Sequence, residues 1–482
     1  MKQNIYTVFA VLLFLAAQSV QAENVPIAKA QDAAAHYMQH NTKFESLLPS
    51  QLKLVHQWTN EVTGEATMYL FTTPGTGWIL MSAETAMDPV LGFSDDSYIS
   101  LNNMAGGLKW WIGKYHELIS ELQEYAENNR VVDNPEWADL FDHKLTGNSK
   151  DQNIVLMQER WDQGNVKGTD YNMYSPVIND TVCPAGCVAT ALAQMCHYYQ
   201  FPKQGQGWSN YTTSTYKLKI SVHYNDSAVF NYDSMPNKVN VYSTPISQRR
   251  ELSRLHYYVG TAVKMDYGPD GSGAFSQNVP SAMANRFKYQ LGTISYRSNS
   301  VDSIWISKLR NSLLNKNILY MSGSSSTGSD AHAAGHAWLC AGYREQNTKM
   351  YYMNWGWDGS GNGFFNLVDN IMSISGFGYN FNKGQAYIID MVPPADSLLA
   401  VNDVEPQSQL GKAYPNPSNY SVTIPFSSRE SSVLTVYSVD GREVISQRLG
   451  AGDGEVVLRV DAMPSGVYIY RLGNNYGKFV VR

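Results

Sequence analysis

The sequence predicts an α+β fold in three folded units, and three observations carry that prediction. Val188, Leu192, Met195 and Tyr199 recur at helical spacing just after Pro184 and Gly186, so a buried amphipathic helix opens near Cys187. Residues 335–343 read as a buried strand, a polar turn follows at 344–349, and 350–354 read as the antiparallel return. After Pro393 and Pro394, short β segments at 422–426, 433–437, 456–460, 467–471 and 478–481 are punctuated by Pro415-Asn416-Pro417, Asp440-Gly441 and Pro464-Ser465-Gly466. That is the pattern of a small antiparallel β-sandwich.

A chain of 482 residues exceeds what one core supports, and 43% hydrophobic residues suffice for several. The formal net charge of -6 provides no basic footprint, so neither DNA nor RNA is expected as a partner. Lys2, the apolar run 5–17 and Val20-Gln21-Ala22 read as a signal peptide, residues 1–22. The run is too short for a comfortable membrane span and nothing later is longer, so no transmembrane segment is expected. Four cysteines, Cys183, Cys187, Cys196 and Cys340, are too few for a disulfide framework, with a Cys183 to Cys196 bridge left open.

Residues 23–150 read as a small mixed α/β domain, with a helix at 28–40, strands at 52–58, 66–72 and 77–82, and a long amphipathic helix at 107–128. The polar run 146–151 reads as an exposed, cuttable joint. Residues 151–393 form the second and largest unit, which holds every feature with chemical content. Its Gly/Ser-rich segment 322–335 reads either as a plain connection or as a lid before His336. A linker, 394–410, leads to the last unit, 411–482.

The chemistry gathers on a sulfur and an imidazole. A helix start favours negative charge, so Cys187 is expected to have a lowered pKa and to be the nucleophile; its bland reading is a small buried hydrophobe. The hairpin brings 354–357 across from His336, the candidate base, whose bland reading is a satisfied strand-end histidine. Asn354 could accept the second imidazole N–H, with Trp355 shielding that bond. Gln163 offers a side-chain amide for the oxyanion beside the Cys187 N–H, though a Gln before a Gly is commonly a turn residue. Closely spaced Cys/His couples are lacking, as is any phosphate-binding glycine loop in context, so no metal and no cofactor are expected.

With those residues named, 151–393 resembles the streptopain family of papain-like cysteine endopeptidases. The resemblance rests on Cys187-Val188-Ala189-Thr190-Ala191, Met265-Asp266-Tyr267-Gly268-Pro269, Gly335-His336-Ala337, and Asn354-Trp355-Gly356-Trp357 with Gly363-Phe364-Phe365, in that order. It implies a papain-like domain with a helical part and an antiparallel sheet part. Cys187 would be nucleophile, His336 general base and acid, Asn354 and Trp355 its holders, and Gln163 the oxyanion donor. Ser272, Gly273 and Gly335 would bind the substrate backbone, with a bulky apolar side chain one place before the cleaved position. It also implies that 23–150 is a propeptide acting as intramolecular inhibitor of a zymogen. The last unit, through Ala413-Tyr414-Pro415-Asn416-Pro417 and Gly466-Val467-Tyr468, resembles the sorting domain of type IX secretion in Bacteroidetes. That implies the type IX machinery as partner, protein or peptide substrates, and a secreted or surface location. Two other classes stay open: an inactive surface binding module on a peptidase scaffold, and a different Cys/His acyl enzyme.

Overall fold

A computed structural model describes residues 22–145, 152–164, 170–300, 302–324, 335–367, 384–395, 408–428, 431–439, 442–472 and 475–482. The signal peptide, the joint at 146–151, the lid segment within 322–335 and most of the linker lie outside the described residues. The chain forms two compact units, Met1–Pro394 and Ala395–Arg482.

The first unit is built on one antiparallel sheet of eleven strands. Lys53–Thr59, Ala66–Thr72, Trp78–Ser82 and Val90–Ser94 pair in chain order, and the last of them pairs with Gly363–Asn366. From there the sheet continues through Met350–Asn354, Gly335–Arg344, Leu319–Ser324, Gln385–Ile389 and Thr293–Tyr296, while Asn153–Val155 pairs with the far end of Gly335–Arg344. The sheet therefore runs unbroken from the N-terminal lobe into the lobe that holds the candidate chemistry.

Alternation along each strand gives this sheet two apolar faces. Tyr69, Phe71, Ile79, Met81, Ala337, Leu339 and Ala341 share one core with the helices Ile27–Asn41, Cys187–Tyr199 and Ile246–Ala262. Met68, Leu70, Trp78, Leu80, Trp338 and Cys340 share the other with Gly106–Ala126 and Asp302–Leu314. Helix Gly106–Ala126 buries Leu108, Trp111, Ile112, Tyr115, Leu118, Ile119 and Leu122, the stripe its periodicity predicts. Helices Ile246–Ala262, Val279–Phe287 and Asp302–Leu314 were not expected from the pattern.

Two side chains from the sheet lobe, buried Arg344 and half-buried Lys349, reach polar partners in the N-terminal lobe. Arg344, 1% exposed, donates to the Tyr37 hydroxyl at 2.5 Å and to Asn41 Oδ1 at 2.7 Å. Lys349 donates to Asp88 at 2.9 Å and Glu136 at 2.5 Å.

The second unit is a β-sandwich of a three-stranded and a four-stranded sheet around Val422, Ile424, Leu434, Val436, Tyr468, Tyr470 and Phe479. Its strand Glu443–Leu449 escaped the sequence reading because only Leu449 in it is buried, which leaves no alternating apolar signal.

Within the N-terminal lobe, His36 is 5% exposed and its Nε2 has no hydrogen-bond partner among the described residues. The rings of His40 and His143 lie 4.3 and 4.5 Å from it, centroid to centroid, and His143 Nε2 meets Asp32 Oδ2 at 2.8 Å. Burial, then the two histidines, lower the His36 pKa against a smaller opposing pull from Asp32. The folded state thus refuses a proton that the unfolded chain accepts near 6.5, so this contribution is full above that pH and fades as pH falls below it. The urea midpoint of the full chain carrying Cys187→Ala is expected to drop between pH 7.5 and pH 5, and adding His36→Gln should flatten that slope. Equal slopes in the two proteins would refute it.

Candidate active site

Helix Cys187–Tyr199 is capped by Gly186 at φ +89°, a conformation that admits glycine and few other residues. A Cβ there would also lie 2.7 Å from the Ser272 carbonyl oxygen and 2.9 Å from the Met265 side chain. Cys187 is half-buried and packs into the same core as Ala337, the residue after His336, whose backbone N–H is the foremost group favouring the thiolate. Nucleophile helix and histidine strand therefore meet at the candidate sulfur.

The imidazole does not face that sulfur. His336 keeps the same strand parity as Trp338 and Cys340, so it sits on the opposite face of the sheet from Ala337 and Leu339. Its ring lies against Gly106, the first residue of helix Gly106–Ala126, where a Cβ would overlap it. It has no hydrogen-bond partner among the described residues, and burial alone lowers its pKa.

The expected lowering of the Cys187 pKa is not found. Burial raises it, and the N–H groups of Ala337, Val188 and Cys187 only partly offset that. Both groups are thus biased toward their neutral forms.

The other predicted residues divide into those near the sulfur and those that brace its surroundings. The carbonyl of Gln163 accepts the Ala185 N–H at 2.8 Å, which ties Gln163 to the loop ahead of Cys187, its side chain half-buried. Ser272 lies over Gly186, and Gly273 exchanges backbone hydrogen bonds with Asp266 at 3.2 and 2.8 Å. Gly335 opens the histidine strand, exposed, opposite Ser324.

Asn354 does not hold His336 here. It pairs with Leu339, three residues further along the strand, and its side chain is fully engaged. Asn354 Nδ2 donates to the Glu159 carbonyl at 2.6 Å and to Gln194 at 3.2 Å, while its oxygen accepts from Gly356 N at 3.0 Å and from Gln194 Nε2 at 3.4 Å. Trp355 is buried among Trp111, Trp338 and Phe365, with its indole N–H donating to the Gly361 carbonyl at 3.0 Å.

Gln194 is the residue whose part the sequence did not disclose. Buried on the nucleophile helix, it accepts the Trp161 N–H at 3.2 Å and joins the Asn354 amide, stitching together the Gln163 segment, the helix and the hairpin. A polar residue on the apolar face of a helix was the available signal. All four cysteines are free, so Cys183 and Cys196 are not bridged. No group of three or more His, Cys, Asp or Glu side chains among the described residues is arranged to hold a metal ion.

A thiol beneath the strand that carries a histidine matches what the sequence comparisons find. Residues 161–365 fit the Peptidase C10 family, 17–119 the Spi protease inhibitor family, and 412–482 the secretion system C-terminal sorting domain. Residues 161–365 are a Peptidase C10, or streptopain-family, domain.

The chain is 25% identical over 419 residues to the thiol protease/hemagglutinin PrtT of Porphyromonas gingivalis, covering 83% of this chain and 45% of that protein. It is 26% identical over 358 residues to streptopain of Streptococcus pyogenes, covering 69% of this chain and 82% of streptopain. A fragment of prointerpain A from Prevotella intermedia shares the fold, with a TM-score of 0.55 and 20% identity over 71% of this chain and 99% of the fragment. The chain spans less than half the length of PrtT. Its C-terminal sorting domain directs it to secretion or the cell surface in a Bacteroidetes-type bacterium. No described helix is long and apolar enough to cross a membrane.

The contact at Gly106 yields a test. Gly106→Ala should destabilise the full chain by about 1–3 kcal/mol, the ordinary cost of overfilling a packed site. Urea denaturation measures it, and an unchanged midpoint would mean that the imidazole moves aside freely.

Proposed function

We propose that this C10 chain is a secreted cysteine endopeptidase made as a zymogen, with Cys187 as nucleophile and His336 as general acid and base. The observation that carries the reading is that Cys187 and Ala337 pack in one core, which brings the sulfur within one residue of the histidine. Rotation of the imidazole around the strand's edge would then face the two groups.

In that arrangement His336 takes the thiol proton, and the thiolate attacks the carbonyl carbon of a peptide bond. The Cys187 N–H, at the positive end of its helix, and the Gln163 amide stabilise the oxyanion. Imidazolium returns its proton to the leaving amine as the C–N bond breaks, leaving a thioester. Water, deprotonated by His336, hydrolyses the thioester and restores the thiol. Asn354 serves by holding the hairpin to the nucleophile helix through Gln194.

The inactive form follows from the N-terminal lobe. Gly106 occupies the space beside the His336 ring, and Trp110 lies against Gly323, the strand partner of His336. While that lobe stays, the imidazole is kept from the sulfur. Its removal requires a cut between the last lobe helix, Glu136–Phe141, and the strand Asn153–Val155.

N-terminal sequencing after incubation tests the reading. Wild-type protein should acquire a new N-terminus within 146–151 and cleave casein, whereas Cys187→Ala and His336→Ala should stay whole and lose at least about a thousandfold in rate. A Cys187→Ala protein that processed itself and cleaved casein would end it.

A further inference from the structure

One motif singled out in the sequence, Met265-Asp266-Tyr267-Gly268-Pro269, has no part in the chemistry above. Its carboxylate is nonetheless an unusual expenditure. Asp266 is 5% exposed, and burying a carboxylate is costly unless hydrogen bonds replace its water.

Three of those bonds come from the tip of a single hairpin. Strands Trp208–Thr212 and Lys219–His223 pair with each other and, among the described residues, with no other strand, and join through a tip closed by Thr213 N–H on the Leu218 carbonyl at 2.9 Å. From that tip, Ser214 Oγ and Thr215 Oγ1 donate to Asp266 Oδ2 at 2.6 and 2.8 Å, and Thr215 N–H donates to Oδ1 at 3.1 Å. The donors themselves are exposed, so the carboxylate is not there to satisfy a core. Lower down, Tyr211 Oη donates to the Met265 carbonyl at 2.9 Å.

The backbone of Asp266 faces the opposite way. It exchanges both hydrogen bonds with Gly273, and the adjacent Ser272 carbonyl packs on Gly186 ahead of Cys187. Hairpin tip, Asp266, the Ser272–Gly273 pair and the Cys187 loop are thus consecutive links.

We propose that Asp266 is a positioning residue for peptide substrates: by bolting the hairpin tip to the 265–273 loop it fixes Ser272 and Gly273 as a rigid wall along which an extended peptide backbone lies beside Cys187. This deepens, and rests on, the peptidase reading. The group touches no reacting atom, so it acts on binding and leaves the nucleophile's reactivity alone.

The test compares Ser214→Ala/Thr215→Val, which removes two hydroxyl donors from an exposed tip and so spares the fold, with the near-isosteric Asp266→Asn. Full-length proteins are processed by immobilised wild-type enzyme and matched by melting temperature. Losing charge-assisted hydrogen bonds should raise KM for a peptide amide about tenfold with kcat within about twofold of wild type. A dipeptidyl epoxide, which must lie along the wall, should alkylate Cys187 about tenfold more slowly, while iodoacetamide, which needs only the sulfur, keeps its rate.

Unchanged KM and epoxide rates in both folded variants would overturn the proposal. So would an equal fall in the iodoacetamide rate, since that would make Asp266 a support of the nucleophile. A wild-type protein that reacts with both reagents yet hydrolyses nothing would sink the peptidase reading alone, and the epoxide-to-iodoacetamide ratio would still measure the wall.

Discussion

Strand Gly335–Arg344 must send successive side chains to opposite faces of the sheet, and the rest of the first unit is arranged around that constraint. Ala337, Leu339 and Ala341 pack toward the helix that begins at Cys187, while Trp338 and Cys340 pack toward the helix that begins at Gly106. The thiol at the start of one helix is thereby set beside Ala337, and the neighbouring imidazole is sent to the other side. A register slip of one residue would exchange the two. The polar ties that hold the register, Gln194 to Asn354 and Asn354 to the Glu159 carbonyl, are buried and mutually satisfied.

The protonation states follow from the same geometry. A helix start is worth about 0.3–1 kcal/mol to a nearby anion, less than the 1.36 kcal/mol that moves a pKa by one unit. Burial of the thiol is a larger effect of opposite sign, which is why the helix start alone does not make Cys187 acidic. A positive charge within a few ångströms is the stronger lever, and the imidazole that would supply it is itself half-buried and biased toward neutrality. Thiolate and imidazolium would stabilise each other only when face to face, and as placed here both groups favour their neutral forms.

Much of this was legible in the sequence, for definite reasons. The helices at 27–41 and 106–126 and the strands at 66–72 and 350–354 carry strong periodicity, and their bounds fell within a residue or two. The nucleophile helix and the histidine strand were found because rare residue types stand at element ends. The seam between lobes was not legible, because the pairing of Phe93 with Phe364 joins residues far apart in the chain and leaves no local pattern. Nor was the direction of His336: parity along its own strand was readable, but which face the Cys187 helix covers is a tertiary fact. The Asn354 assignment failed on similar grounds, since an amide near a histidine in a hairpin has other partners available, and Glu159 and Gln194 took it.

The way the N-terminal lobe is attached suits something that stays in register and yet can leave. Its seam with the rest of the sheet is only two residue pairs, Gly92 with Phe365 and Phe93 with Phe364, against four between the adjoining strands. The cross-lobe polar contacts of Arg344 and Lys349 fix alignment more than they add stability, because desolvation of the buried Arg344 and partly buried Lys349 offsets much of what their partners return. The apolar share includes Trp78 on Phe365 and Phe93 on Phe364, and the places where Trp110 and Trp111 meet Trp338 and Trp111 meets Trp355. On the proposed reading, loss of the lobe strips that indole surface at the same moment that Gly106 vacates the space beside His336. The imidazole then has both a route around the strand's edge and an exposed aromatic flank at its back, so the surface that holds the lobe in place is also the one that would shelter the histidine after it goes.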